Sequence, residues 1–232
     1  MNELLVKEKE IVIPGEEIAK GMEFLPSVGT FREGESIYSK NLGIVEVRNH
    51  VLKVIPLRGK YMPKRGDTVI GVVTNIGFSG WTIDIGAPYD ANLPVGEAVR
   101  DRVELLRSDL SRYFDIGDVI VSNVLNVTKS KIIQLSMRSQ GLRKLNGGRI
   151  LKISPSKVPR LIGKSGSMVI MIKNYTNCDI NVGQNGYVWI NGPLEGQFLA
   201  EKAINLIEEE AHLSGLTDKV KEMLEKEGVK NE

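Results

Sequence analysis

Residues Gly163, Lys164, Ser165 and Gly166 form a G-x-x-G turn in which two glycines bracket a cationic and a hydroxyl side chain. Glycine carries no Cβ, so such a turn lets a second backbone approach the chain closely. Between residues 141 and 180 stand eight basic side chains, Arg143, Lys144, Arg149, Lys152, Lys157, Arg160, Lys164 and Lys173, against one acid, Asp179. A close-approach turn in a one-signed positive field suits a sugar-phosphate backbone. Lys157, Arg160, Gly163, Lys164, Ser165 and Gly166 are the residues placed to grip it.

The flanking sequence must hold that turn in place. Arg149 to Ile153 reads as a short strand. Ser154-Pro155-Ser156 then offers a helix start with Ser156 as cap, which puts Pro159 in the first turn, where its missing N–H costs nothing. After the glycines, Met168, Met171, Ile172 and Tyr175 follow the i, i+3, i+4, i+7 spacing of a helix packed on a sheet. Strands follow at Cys178 to Val182 and Tyr187 to Asn191, joined by Gly183-Gln184-Asn185-Gly186. Pro193 opens a helix reaching about Leu213. This β-α-turn-α-β-β-α order resembles a K homology (KH) domain, which implies clamping of a short single strand on the G-x-x-G turn.

The middle of the chain carries a second pattern. Gly66 to Val73 starts a strand, Gly80 to Gly86 is a second with strict alternation, Tyr89 to Leu93 is a third, and a charged excursion runs from Val95 to Asp115. Strands resume at Ile116 to Val121 and Lys131 to Met137. Five short strands with an insertion after the third resemble an OB-fold. The runs G-D-x-V-x-G-x-V, G-x-x-x-D-I-G and the closing Gln134-Leu135-Ser136-Met137-Arg138 resemble the S1 RNA-binding domain in particular. The S1 pattern of aromatics on the second strand is missing, because Ser79 and Thr82 fill those places. Trp81 shares its parity with Ile83 and Ile85, so it is expected inside the barrel, while Phe78 is read either way. Contact with RNA is therefore expected mainly by charge, through Arg100, Arg102, Arg107 and Arg112 in the excursion and Lys129 and Lys131 in the last turn. The same arginines also suit a solvated, salt-bridged loop.

Residues 1 to 62 carry strand-like runs at Ile11 to Ile13, Ile37 to Ser39, Gly43 to Val47 and Val51 to Pro56. They have no basic bias and no phosphate cradle, which points to a docking module. The fold class is therefore multidomain: a β-rich module (1–62), a five-stranded OB-fold S1-like barrel (63–140), and an α+β KH domain with C-terminal helices (141–232). The net charge of +2 conceals a polarity, since only the KH region is one-signed. The acidic end of the chain reads as a solvated helix surface. The single cysteine, Cys178, excludes an internal disulfide framework and a cysteine-rich zinc site, and no cofactor or metal is expected. A charged N-terminus and the lack of an eighteen-residue apolar run predict neither a signal peptide nor a membrane span, hence a soluble cytoplasmic protein.

A β module beginning V-I-P-G, an S1-like domain, and one KH domain holding both G-K-S-G and V-G-Q-N-G-x-x-W-I-N-G resemble the ribosomal RNA-processing protein 4 family. Archaeal members are cap subunits of the RNA exosome. The resemblance implies three copies seated on a hexameric ring of phosphorolytic, ribonuclease PH-like subunits, with RNA 3′ ends threaded between the S1-like domains. It implies single-stranded RNA as ligand and catalysis in the ring rather than in this chain. It also implies that Gly183, Asn185 and Gly186 are structural, packing the KH domain on the S1-like domain. Their sequence reads as a tight turn, with two residues tolerant of positive φ.

An enzyme is disfavoured by the residues present. The two histidines, His50 and His212, lie in different modules, and no paired-carboxylate or nucleophile–base pattern stands out. Polynucleotide phosphorylase has KH and S1 domains in the reverse order, behind catalytic domains. The bacterial antitermination factor with S1-KH-KH order needs a second KH domain. The other archaeal cap protein needs a four-cysteine zinc ribbon. A stand-alone S1-KH RNA-binding or transcription- or translation-associated factor is the remaining alternative.

Overall fold

The computed structural model describes residues 3–57, 59–99, 109–211, 213 and 215–227. The chain divides into two compact units, Met1–Gly59 and Lys60–Glu232.

The first unit holds eight strands: β1 (Glu3–Leu4), β2 (Ile11–Val12), β3 (Glu17–Lys20), β4 (Leu25–Pro26), β5 (Thr30–Glu33), β6 (Ser36–Ser39), β7 (Gly43–Arg48) and β8 (Val51–Pro56). They form two four-stranded sheets, β1-β3-β6-β5 and β2-β7-β8-β4. Ile18, Ala19 and Ile37 from the first sheet meet Val12, Val45, Leu52 and Val54 from the second in a shared core. Asn49 and His50 join β7 to β8 with φ of 48° and 63°. Two left-handed residues in a two-residue loop match the right-handed twist of the flanking strands.

The second unit opens with the barrel: β9 (Thr68–Ile76), β10 (Gly80–Asp84), β11 (Ala91–Pro94), a short helix α1 (Val95–Ala98), β12 (Val119–Val127) and β13 (Ile133–Ser136). The order β13-β11-β10-β9-β12 closes through a β13–β12 pairing. Alternation sends Val69, Val73, Trp81, Ile83, Leu93, Ile120, Ile133 and Leu135 inward. A sixth strand, β14 (Lys144–Leu145), extends this sheet from the far side of β12.

The rest is β15 (Arg149–Lys152), α2 (Val158–Ile162), α3 (Ser167–Thr176), β16 (Asp179–Val182), β17 (Tyr187–Asn191), α4 (Leu194–Glu210) and α5 (Leu216–Glu227). The antiparallel sheet runs β15-β17-β16. Its helix-side face buries Ile153, Ile180, Val188 and Ile190 against Leu161, Met168, Ile172, Ala200, Ala203 and Ile204. Two local expectations need correcting. Ser156 does not cap α2: Pro155 opens a 3-10 turn to Lys157, so Lys157 precedes the helix, although Pro159 still falls in its first turn. The C-terminal helix stops at Glu210 rather than near Leu213, and a second helix begins after Gly215, whose φ of 75° breaks the run. Among the described residues no helix is long and apolar enough to cross a membrane.

Candidate nucleic-acid interface

The G-x-x-G turn joins α2 to α3 through three residues that depart from helical geometry. Gly163 lies at φ 74°, Ser165 at 53° and Gly166 at 82°. A Cβ on Gly163 would sit 2.8 Å from the Met168 Cβ and 2.9 Å from the Met168 nitrogen, so glycine is required there by space as well as conformation. At Gly166 the nearest atom to an added Cβ is the Ile170 side chain at 3.6 Å, leaving only the φ restriction. Lys164 and Ser165 point their side chains into solvent. The turn is thus a backbone ledge with an exposed cation and hydroxyl.

The field around it is weaker than the sequence suggested. Arg143 and Lys173 both pair with Asp179, Lys144 with Asp118, and Arg149 with Glu201. Folding brings Asp118 and Glu201 in from outside the basic stretch and neutralises part of it. Lys152 lies over the Tyr187 ring at 5.3 Å. Arg160 donates to the Leu213 carbonyl at 3.0 Å. Among the described residues Lys157 and Lys164 carry no ion pair; Lys157 precedes α2 and Lys164 follows it in the turn.

The second glycine motif is spent differently. Asn185 is 3% exposed. Its amide nitrogen donates to the Ile70 carbonyl at 2.6 Å and the Ile85 carbonyl at 2.8 Å, and its Oδ1 accepts from the Ile70 N–H at 3.3 Å. The Gln184 N–H adds a bond to the Thr68 carbonyl at 2.8 Å. One side chain therefore ties the β16–β17 turn to β9 and to the segment after β10. Only Gly186 of the Asn-Gly pair takes positive φ, at 85°, and a Cβ there would lie 2.2 Å from the Ile153 carbonyl oxygen. Beside this clasp, Trp189 packs with Ile70, Val121 and Leu145 in a buried cluster between barrel and KH sheet, its Nε1 donating to the Gly147 carbonyl at 2.8 Å.

On the barrel, Trp81 is 2% exposed, sets its ring edge-to-face on Phe114 at 5.1 Å and donates to the Phe114 carbonyl at 2.9 Å. It is core. Phe78 is 70% exposed in the turn between β9 and β10. Lys129 and Lys131 stand exposed in the β12–β13 turn, where the Thr128 N–H meets the Ile132 carbonyl. Arg112 is exposed at the end of a 3-10 turn, Leu110–Arg112, capped by Asp109 and anchored by buried Leu110. Ser111 donates to that carboxyl from both hydroxyl and backbone and holds its pKa below the ordinary value. Arg100, Arg102 and Arg107 lie outside the described residues.

Strand pairing adds a feature that linear sequence does not show. Asn75 on β9 is opposite Thr82 on β10, Thr82 is opposite Asn92 on β11, Asn92 opposite Gln134 on β13, and Gln134 opposite Asn126 on β12. A polar row therefore crosses the outer face of the barrel.

Three family models match successive parts of the chain. Residues 9–58 match the exosome RNA-binding protein RRP4 N-terminal domain, 60–126 the RRP4 S1 domain, and 148–196 a KH domain. The exosome complex component Rrp4 of Thermococcus kodakarensis is 48% identical over 227 residues, 97% of this chain and 88% of that protein. This chain belongs to the Rrp4 family. The Rrp4 of Methanothermus fervidus is 43% identical and covers 95% of this chain and 97% of its own length. A crystal structure assigned as an exosome complex RNA-binding protein superposes with TM-score 0.66 at 34% identity, over 73% of this chain and 97% of that one. The Rrp4 module order, β module then S1 then KH, is thus carried here in full.

Proposed function

We propose that this chain is a non-catalytic, RNA-binding cap subunit of an archaeal RNA exosome, cytoplasmic, that recruits single-stranded RNA and feeds 3′ ends into a phosphorolytic hexameric ring. One observation carries the reading: relatives named as the exosome component Rrp4 align with it over nearly the whole chain, with all three modules in order. Exposed Lys164 and Ser165 on a backbone ledge supply the grip on phosphate, joined by Lys157, Arg160 and the barrel's Arg112, Lys129 and Lys131. The clasp at Asn185 holds the KH domain and the barrel as one reading surface.

Docking belongs to the N-terminal unit. Ile11, Ile44 and Ile55 stand in register across β2, β7 and β8 on the outer face of that sheet, with Ile11 59% and Ile55 43% exposed. An aliphatic row left in water marks a protein interface. Three copies would seat on six ring subunits, and linked weak RNA sites around one entrance would gain avidity.

Reconstitution with ribonuclease PH-like ring subunits tests this. Native mass should give three copies per six ring subunits, and labelled RNA should be shortened by the particle with phosphate but not by this chain alone. Ile44→Lys with Ile55→Lys should abolish ring association and leave RNA affinity unchanged. A wild-type chain that binds RNA but never the ring is a stand-alone factor; shortening by the purified chain, lost on mutating it, makes it an enzyme.

A further inference from the structure

We infer that the barrel reads nucleobases through an uncharged hydrogen-bonding row, with Thr82 and Asn92 as its specificity-determining residues; this rests on the RNA-binding reading above. Inward neighbours fix the direction of each member. Trp81 and Ile83 flank Thr82, Ala91 and Leu93 flank Asn92, and Ile133 and Leu135 flank Gln134, all six in the core. The three intervening side chains must therefore face outward. Asn75, Asn92 and Asn126 are exposed on the same face.

Asparagine is depleted in strands, so three of them in one row run against local propensity. No internal bond explains them. Among the described residues none of the five side chains hydrogen-bonds to the protein. Asn123 and Asn185 differ: the first accepts from Thr68 at 2.9 Å, and the second is fully engaged in the clasp. A local rule broken without structural gain marks a functional surface.

The surroundings choose the ligand. A cleft of about 300 Å³ opens between the β9–β10 turn and the sheet, lined by Phe78, Ser79, Thr82, Asn92 and Pro94. Phe78 offers a face on which a base stacks, and the hydroxyl and amide offer donors and acceptors to its edge. At the other end of the row, Lys129 and Lys131 in the β12–β13 turn suit phosphate. Asp84 faces outward two residues beyond Thr82, its carboxylate bonded to the Gly86 N–H at 2.7 Å, so a phosphate is repelled from the row itself. Bases lie on the row and phosphates outside it.

The division of labour is measurable. Full-length protein is titrated by fluorescence anisotropy with short homopolymers of each base, at low and moderate salt. Wild type should prefer one base, and Thr82→Val with Asn92→Leu, both near-isosteric, the first half-buried and the second exposed, should shrink that preference about 5- to 150-fold, the worth of one good bidentate contact. The dependence of log affinity on log salt should not change, because no phosphate contact is lost. Asn92→Asp, which keeps size but removes the donor, should change which base is preferred. A double variant that retains the wild-type preference, a wild type with none, or a uniform loss with a shallower salt slope overturns the inference. If wild type binds no RNA even at low salt, the RNA-binding reading falls and takes this one with it.

Discussion

The two glycine motifs of the KH domain look alike in sequence and do opposite work. In Gly163-Lys164-Ser165-Gly166 the glycines bend the chain so that the middle residues stand in solvent, with polar groups unspent. In Gly183-Gln184-Asn185-Gly186 they clear space so that the Asn185 side chain is buried against another domain's backbone, while Gln184 stays exposed and gives only its N–H. A Cβ on Gly183 would lie 2.2 Å from the Asn185 Oδ1 and 2.9 Å from the Ile70 nitrogen. The lesson is that glycine spacing announces close approach without naming what approaches: in the second motif it is the barrel, and in the first, on the function proposed above, it is RNA.

The contrast breaks most sharply at Asn185. Asn185→Leu leaves two carbonyls and one N–H buried without partners, at about 1–3 kcal/mol each, so stability should fall by several kcal/mol in denaturant titration. An unchanged midpoint would mean that the clasp is incidental. Gly186→Val comes next. Strain at positive φ and the clash with Ile153 should cost about 3 kcal/mol, or roughly 6–12 °C in Tm for a chain of this size. The matching change in the first motif, Gly166→Val, brings its Cβ near no backbone atom and should cost only the conformational strain, about 1–2 kcal/mol. Equal losses at the two sites would erase the distinction.

Lys164→Asp with Ser165→Asp should act the other way round. Tm should hold within about 2 °C, as for exposed surface changes. RNA affinity at low salt should fall by more than about tenfold, with a shallower salt slope. Equal affinity in the two proteins would remove the phosphate grip from this turn.

The smallest effect tests how much of the basic stretch is already neutralised. Burial opposes ionisation of Asp118, but the Lys144 ammonium and the Asp115 N–H, which donates at 2.7 Å, outweigh it and hold its pKa below the ordinary 3.8. A depressed carboxyl contributes stability that is complete above its unfolded value and is lost as pH falls through the folded one. Lys144→Ala should therefore lower Tm slightly at pH 7 and not at all once Asp118 is protonated in both states, with RNA affinity nearly unchanged. A marked loss of RNA binding would return Lys144 to the interface.

Much of this protein was legible one segment at a time. The strand alternation at Gly80 to Gly86, the helical spacing from Met168 to Tyr175 and the Asn185-Gly186 turn are local patterns, and each became the element it suggested. Trp81 was placed in the core by parity alone. The N-terminal unit was read less completely: β1, β3, β4 and β5 are two to four residues long, too short for periodicity to show. The end of α4 was overrun because Ala211 stays helical while the break is made by Gly215.

What the sequence alone determined was the order and type of its modules, because periodicity and turn chemistry act over a few neighbouring residues. What only the tertiary structure decided was where each polar group is spent. Asn185 meets Ile70 across 115 residues, Arg149 meets Glu201 from another element, and the polar row on the barrel exists because β11 and β13, far apart in the chain, pair in parallel. Those partners follow from how the chain closes on itself, and no window of local sequence contains both members of such a pair.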